Sequence, residues 1–490
     1  MDQSEAPVLE ALRDFRRQRF TPFTPPGHKQ GRGAARSTVD ALGADVFGSD
    51  ILAISGLDDR TSSHEVLARA QQLMAEAVDA EHAFFSTCGS SLSVKSAMLS
   101  VAGPHEELIV GRDAHKSVVS GLILSGIRPI WVEPQWDAQR HLAHPPAPES
   151  VAAAFAEHPD VRGALITSPT PYGTCADLAA HADACHRYGR PLIVDEAWGA
   201  HLPFHDRLPT WAMDAGADVC VTSVHKMGAG LEQGSVFHLR GDLIDPAVLS
   251  SRADLLGTTS PSVLIYAGLD GWRRQMVQDG TRLLGDALDL ARDVRARLSD
   301  LDGVHLAGAE FVGPGRAADL DPLQIVLDIS TLGVLGYRAA DWIYANHRVS
   351  MHLADHRRIS AQLTFADDES TAERLLTAVR DVVEHADQLR GGQRVEVPDP
   401  GGLRLAQAML PRDAFFARTE QISAKQAVGR VSAEMITPYP PGIPAILPGE
   451  RITEPVVRYL RTGVDAGMVC PDAVDSTVES VRVVATDEEA

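Results

Sequence analysis

Between residues 60 and 240, short apolar runs alternate with stretches of helical period, and no other feature constrains the fold as much. The runs are AFFS (83–86), ELIV (107–110), PIWV (129–132), ALIT (164–167), PLIV (191–194), VCVTS (219–223) and SVFH (235–238). The first helical stretch, SSHEVLARAQQLMAEAVDA, opens with Ser62 and Glu65 at capping-box spacing. It carries Val66, Leu67, Ala70, Leu73, Met74, Ala77 and Val78 on one stripe. Repeated strand–helix–strand connections need crossovers, so an α/β architecture with a mainly parallel, seven-stranded sheet covered on both faces is expected. Ligands of such sheets bind outside the carboxyl ends of the strands. The residues that follow each run are therefore the ones to inspect.

At 490 residues the chain exceeds the size at which one core keeps growing, so several domains are expected. The pattern divides it into an N-terminal segment (1–60), a large domain (61–320), a smaller α/β domain (321–395) and a C-terminal appended domain (396–490). Beyond residue 260 the chain turns helical (RLLGDALDLARDVRARLSD), and LQIVLDIS then marks the second strand-bearing region. The joint RGGQRVEVPDPGG (390–402) reads as a boundary, and ITPYPPGIPAILPGERIT is too proline-rich for a regular sheet.

A net charge of −21 argues against nucleic acid and anionic membranes as partners. It suits a cationic small molecule, although acidity is commonly only a solubility device. The N-terminal MDQSEAPVLEALRDFRRQRF is an amphipathic helix without the apolar core of a signal peptide, and no apolar run reaches the length of a membrane span. Five cysteines without metal or redox spacing read as reduced thiols of a cytoplasmic protein.

The strand ends carry a set of chemically pointed residues. AFFS leads into TCGSSLS, where Gly89, Ser90 and Ser91 stand at a helix start suited to an anion. ELIV leads to His115, ALIT to SPTPYG with Thr170, PLIV to Asp195, and VCVTS to His225 and Lys226. Each alone has an ordinary structural role: a turn, a rim hydrogen bond, a helix cap, a salt bridge. Together they are the parts that pyridoxal 5′-phosphate requires. A lysine amine forms the Schiff base, a carboxylate partners the pyridinium nitrogen, a flat ring stacks, and helix-terminal N–H groups hold the phosphate. The Schiff base also accounts for a lysine at the end of a buried strand, where a bare ammonium would be costly.

These residues sit in longer motifs that resemble the bacterial ornithine/lysine/arginine decarboxylases, pyridoxal-phosphate enzymes of fold type I. The resemblance runs through PGHKQGRG (26–33), LDD (57–59), DAHKS (113–117), SPTPYG (168–173), VDEAWGAH (194–201), SVHK (223–226), TTSPS (258–262), GYRAADW (336–342) and AEMITPYPPGIPAILPGERIT (433–453). It implies a short form without the N-terminal wing domain. It further implies Lys226 as the Schiff-base lysine, Asp195 as the pyridinium partner, Ala197 under the ring and His115 stacked above it. Ser90, Ser91, Ser223 and His225 would hold the phosphate, and Thr170 would face the ring edge. Ser260 would reach the phosphate of the other subunit, which implies a homodimer or higher homo-oligomer with shared sites. Trp198 stands where many short members have His, and TCGSS departs from the family's usual turn. His28 and Lys29 of PGHK line a substrate entrance on one reading and pack the N-terminus on the other.

The expected reaction is α-decarboxylation of a basic L-amino acid, arginine or lysine ahead of ornithine, to agmatine or a diamine plus CO2. Another pyridoxal-phosphate outcome, an aminotransferase or an oxygen-dependent decarboxylating oxidase, uses the same residue set. A catalytically silent partner subunit would not need the intact Lys226 and Asp195.

Overall fold

The structure is a computed structural model that describes residues 1–53, 65–398, 400–439 and 441–486. Ser62, the LDD stretch and Pro440 lie outside the described residues. The helix expected after Ser62 runs Val66–Ala77 and buries Ala70, Leu73 and Met74.

All seven apolar runs are strands: His82–Ser86 (β1), Glu107–Gly111 (β2), Arg128–Val132 (β3), Ala164–Thr167 (β4), Leu192–Asp195 (β5), Val219–Ser223 (β6) and Ser235–Leu239 (β7). Every residue of β4, β5, β6 and β7 is buried, as the continuous apolar runs require. The chain folds as two compact units, one of residues 1–101 and 178–283, the other of residues 102–177 and 284–490.

In the first unit the strands lie in the order β1-β7-β6-β5. β5 and β6 are parallel, with Asp195 opposite Val221. β7 runs antiparallel to β6 and to β1. The connection from β6 to β7 spans only residues 224–234, too short for a crossover helix, so the chain turns back. The N-terminal helix Pro7–Gln18 buries Val8 and Leu12 and is tied down by a buried ion pair. Asp270 accepts from the Val8 N–H (2.8 Å), and Arg273 bonds Asp270 (3.1 Å) and the Gln3 carbonyl (2.7 Å). His28 Nε2 meets Asp50 Oδ2 at 3.1 Å and its ring lies edge-on to Phe47, so the structure gives PGHK a packing role in the N-terminal segment.

In the second unit β2 lies between β3 and β4, parallel to both. A four-stranded antiparallel sheet follows, ordered His305–Leu306, Gln324–Asp328, Arg358–Gln362, Leu353–Ala354. The helices Gly336–His347 and Glu369–Glu384 accompany it, the second opened by an Asp368 capping box. The C-terminal part pairs Thr419–Ser423 with Ser480–Val484 and adds the helix Glu454–Ala466. Its core holds Ile436, Ile446, Val456, Leu460, Val481 and Val483. The proline-rich stretch forms no regular strand; an isolated bridge joins Ile436 to Ile446 across the turn. Among the described residues, no helix is long and apolar enough to cross a membrane.

Candidate active site

The registers of β1, β5, β6 and β7 decide which side chains meet in the first unit. Ser86 opposes Ser235, and Ser235 opposes Ser223, so three serines form one rung at the sheet rim. The helix Gly89–Val101 starts three residues after Ser86. That places Ser90 beside the end of β6, and the Ser223 hydroxyl donates to Ser90 Oγ at 2.7 Å. Gly89 makes the turn at φ +74° and donates its N–H to the Gln233 carbonyl (2.9 Å). Ser91 lies exposed on the same first turn.

Past Ser223 the chain forms one helical turn, Val224–Met227, which carries His225 and Lys226. Glycine is required next, because a Cβ on Gly228 would come within 2.7 Å of the Trp272 ring and of the Val224 carbonyl. His225 uses Nδ1 on the Gly234 carbonyl (3.2 Å), which leaves Nε2 as the ring atom that can meet a ligand. Burial lowers its pKa.

Lys226 Nζ lies 3.8 Å from the centre of the Trp198 ring. Burial lowers the amine to about 8, and the nearby Asp195 charge opposes that shift without cancelling it. Asp195 is 4% exposed at the end of β5, accepts from the Ala197 N–H, and is raised by burial. Its Oδ1 is buried and has no hydrogen-bond partner among the described residues. Ala197 is buried, and its carbonyl accepts from the Ser223 N–H at 3.4 Å, tying the Asp195 loop to the end of β6.

A buried carboxylate oxygen without a donor is costly, so it marks a place where a donor is to be supplied. A protonated pyridine nitrogen supplies one. A neighbouring amine with lowered pKa and a hydroxyl-lined helix start complete what pyridoxal 5′-phosphate needs, and the residues fit it.

The lowered Lys226 pKa has a measurable consequence. Only the neutral amine attacks an aldehyde, so the rate at which apo-protein takes up cofactor should fall tenfold per pH unit below about 8 and level off above it. An ordinary lysine would keep gaining rate to about pH 10.4. Stopped-flow absorbance of cofactor uptake across pH 6–11 measures this.

The other expected residues are placed as follows. His115 and Thr170 belong to the second unit. His115 caps the helix Lys116–Ser125, with Nδ1 2.9 Å from Ser117 Oγ. Thr170 is buried, with its hydroxyl 2.6 Å from that of Thr174. Ser260 is exposed before the long helix Val263–Ser299, its N–H donating to Thr258 Oγ1. Two contacts were not foreseen. Trp198 lies against the Lys226 amine, and its position three residues after Asp195 was the available signal. Gly442 of PYPPGIP lies against the His115 ring: a Cβ there would stand 3.1 Å from Cδ2.

That second contact belongs to a clamp within the second unit. The Gly442 carbonyl accepts from the Lys116 N–H (3.2 Å) and Lys116 Nζ meets Asp472 (2.8 Å). Arg112 grips Glu450 with two nitrogens (3.2 and 3.1 Å) and the Pro444 carbonyl with a third (2.8 Å). Arg112 and Glu450 are 12% and 2% exposed, so breaking this pair leaves a buried charge. Arg112→Ala should cost about 3–5 kcal/mol of stability, read as a lowered denaturation midpoint.

A large α/β unit with a buried lysine–aspartate pair at adjacent strand ends defines a pyridoxal-phosphate enzyme of fold type I. Comparison with known proteins makes the class particular. Residues 6–324 match the major domain of the Orn/Lys/Arg decarboxylases and residues 404–473 match their C-terminal domain. The chain belongs to this family and is a pyridoxal-phosphate-dependent amino acid decarboxylase. It is 36% identical over 485 residues to the arginine decarboxylase of Bacillus subtilis (strain 168), covering 99% of each chain. It is 25% identical to the constitutive lysine decarboxylase of Escherichia coli (strain K12), covering 93% of this chain and 76% of that one. The solved structure of the E. coli constitutive lysine decarboxylase shares the fold, with a TM-score of 0.81 at 21% identity over 99% of this chain and 82% of that one.

Proposed function

We propose that the chain decarboxylates L-arginine to agmatine and CO2. The observation that carries the choice of arginine is the full-length similarity to the B. subtilis arginine decarboxylase, against lower identity and partial coverage for the lysine enzyme. When bound, pyridoxal 5′-phosphate supplies an electron sink for the pair released with CO2. Asp195, whose buried Oδ1 has no partner among the described residues, would pair with a protonated ring nitrogen, and its burial would make that pairing strong. Lys226 would anchor the cofactor, and with a pKa of about 8 it could give or take a proton near neutral pH. Trp198 walls off one side of that amine. Ser90, Ser91, Ser223, His225 and the Gly89 turn would hold the phosphate, and on the family resemblance Ala197, His115 and Thr170 would contact the ring.

The wider reading includes a homodimer in which Ser260 completes the partner's phosphate site, supported by its exposure in this chain. It also includes division at 60/61, 320/321 and 395/396, supported by the two family matches ending at 324 and beginning at 404. Cytoplasmic residence agrees with five cysteines present as thiols. Incubating the holoenzyme with arginine, lysine and ornithine and weighing the products tests the substrate. Agmatine with equimolar CO2 is expected. Cadaverine as the dominant product would overturn arginine, and a keto acid or peroxide would overturn decarboxylation alone.

A further inference from the structure

The second unit encloses a cavity of about 260 Å³ that none of the roles above uses. Asp113 lines it, two residues before His115. Asp113 is 6% exposed, and neither carboxylate oxygen has a hydrogen-bond partner in another described residue. Burial raises the group to about 7, against the lowering pull of its own backbone N–H and of the Arg112 charge. Gly111 leaves room for this carboxylate, since a Cβ there would stand 2.6 Å from Asp113 Oδ1.

Three arginines also line the cavity, and each is matched by a different acid. Arg112 pairs with Glu450, Arg358 with Asp355 (2.6 Å) and Arg404 with Glu133 (3.3 Å). Among the described residues, Asp113 is thereby the lining carboxylate left without an ion-pair partner. Four aromatic side chains, Trp136, Tyr172, Tyr337 and Tyr459, line it together with prolines and aliphatic residues. The Tyr172 hydroxyl is spent on Asp355 (3.0 Å), and the Arg358 guanidinium lies over its ring, 5.7 Å from the centre.

The way in is visible. His141 and His356, with ring centres 5.9 Å apart, line both this cavity and an open groove of about 980 Å³ under residues 391–397. His141 Nδ1 and His356 Nε2 are buried without hydrogen-bond partners, and burial lowers both imidazoles, so the passage carries no added positive charge near neutral pH.

A buried carboxylate with no donor from another described residue, in a cavity lined partly by aromatic side chains and by arginines each paired with another acid, has the composition of an organic-cation site. We propose that this cavity binds a small organic cation bearing a guanidinium or primary ammonium group, with Asp113 as its anchor. The volume suits such a molecule and would otherwise hold about nine waters at roughly 30 Å³ each. The site does not depend on arginine being the substrate.

Titration calorimetry of the holoenzyme with agmatine as probe tests it. Two binding events per chain are expected, one at the reaction centre and one here, and Asp113→Asn should weaken the second at least tenfold. The absence of any agmatine binding that Asp113→Asn weakens, whether one event or two are seen in the unaltered enzyme, would overturn the proposal. Without agmatine, Asp113→Asn should melt at a higher temperature, because an unpaired buried carboxylate is relieved. A lower melting temperature would mean the carboxylate serves the fold, and would also overturn it. Crystals of the unaltered holoenzyme soaked in agmatine should show the cation against Asp113, and ordered water alone in the cavity would reject the idea. Failure of the substrate assay would leave these results unchanged.

Discussion

Lys226→Ala should lower turnover on the order of 10^4-fold or more and leave the purified protein without the visible absorbance of lysine-bound cofactor. The size of the effect follows from the number of tasks that converge on one amine. Lys226 Nζ sits beside Trp198 and under the influence of Asp195, with a pKa near 8 that keeps both its protonation states accessible around neutrality. On the proposed reading, removing it would take away the covalent anchor, the group that exchanges with substrate, and one of the proton donors available to the site. Arginine at this position would keep a cation over Trp198 but could not deprotonate, so Lys226→Arg should be as inactive as alanine. Added primary amines should restore part of the activity in Lys226→Ala and none in Lys226→Arg, where the space is filled. A steady-state assay with methylamine and an absorbance spectrum of each variant decide it. Turnover of Lys226→Ala at the native rate would remove Lys226 from the centre of the reaction.

How far this site was readable before any coordinates depends on the kind of contact. The seven strands were visible because buried parallel strands are nearly continuous apolar runs, and the observed strands fall within a residue of those runs. Lys226 and Asp195 were visible for a related reason: a charged group next to such a run needs an explanation. The meeting of Ser90 with Ser223 was foreseeable only as shared chemistry, because it depends on the β1-β7-β6 register, and β7 reverses direction where the seven runs gave no sign of it. Trp198 is marked in the sequence by its place in VDEAWGAH, where many short members have His, but nothing there says that it meets the Lys226 amine. The clamp from Arg112 to Glu450 and from Gly442 to His115 joins residues more than 300 positions apart. Sequence spacing says nothing about such pairs, and the proline-rich loop that makes them has no period to read. Asp113 was passed over for the opposite reason, because it stands inside a motif whose His115 already had a role.

Asp195→Asn separates catalysis from folding more cleanly than any other substitution here. The side chains are nearly equal in shape, and the amide can still accept from the Ala197 N–H. What it loses is charge at the Oδ1 that faces no other donor. A neutral amide does not hold a proton on a pyridine nitrogen, so the electron sink weakens in the transition state while substrate binding is little affected. The expected result is a kcat lowered on the order of 10^2- to 10^3-fold, the scale for losing one preorganised electrostatic partner, with KM nearly unchanged. Stability should move the other way. Burial raises the Asp195 pKa, which means the carboxylate is costly in the apo-protein, and asparagine removes that cost. The apo form of Asp195→Asn should therefore unfold at the same temperature as the unaltered apo-protein or higher, and the extra stability that cofactor confers should shrink. Differential scanning calorimetry with and without cofactor, beside steady-state kinetics, gives both numbers. A kcat within a few-fold of the native value would remove Asp195 from the ring nitrogen. A fall in apo stability matching the loss of activity would make the aspartate a structural residue of β5.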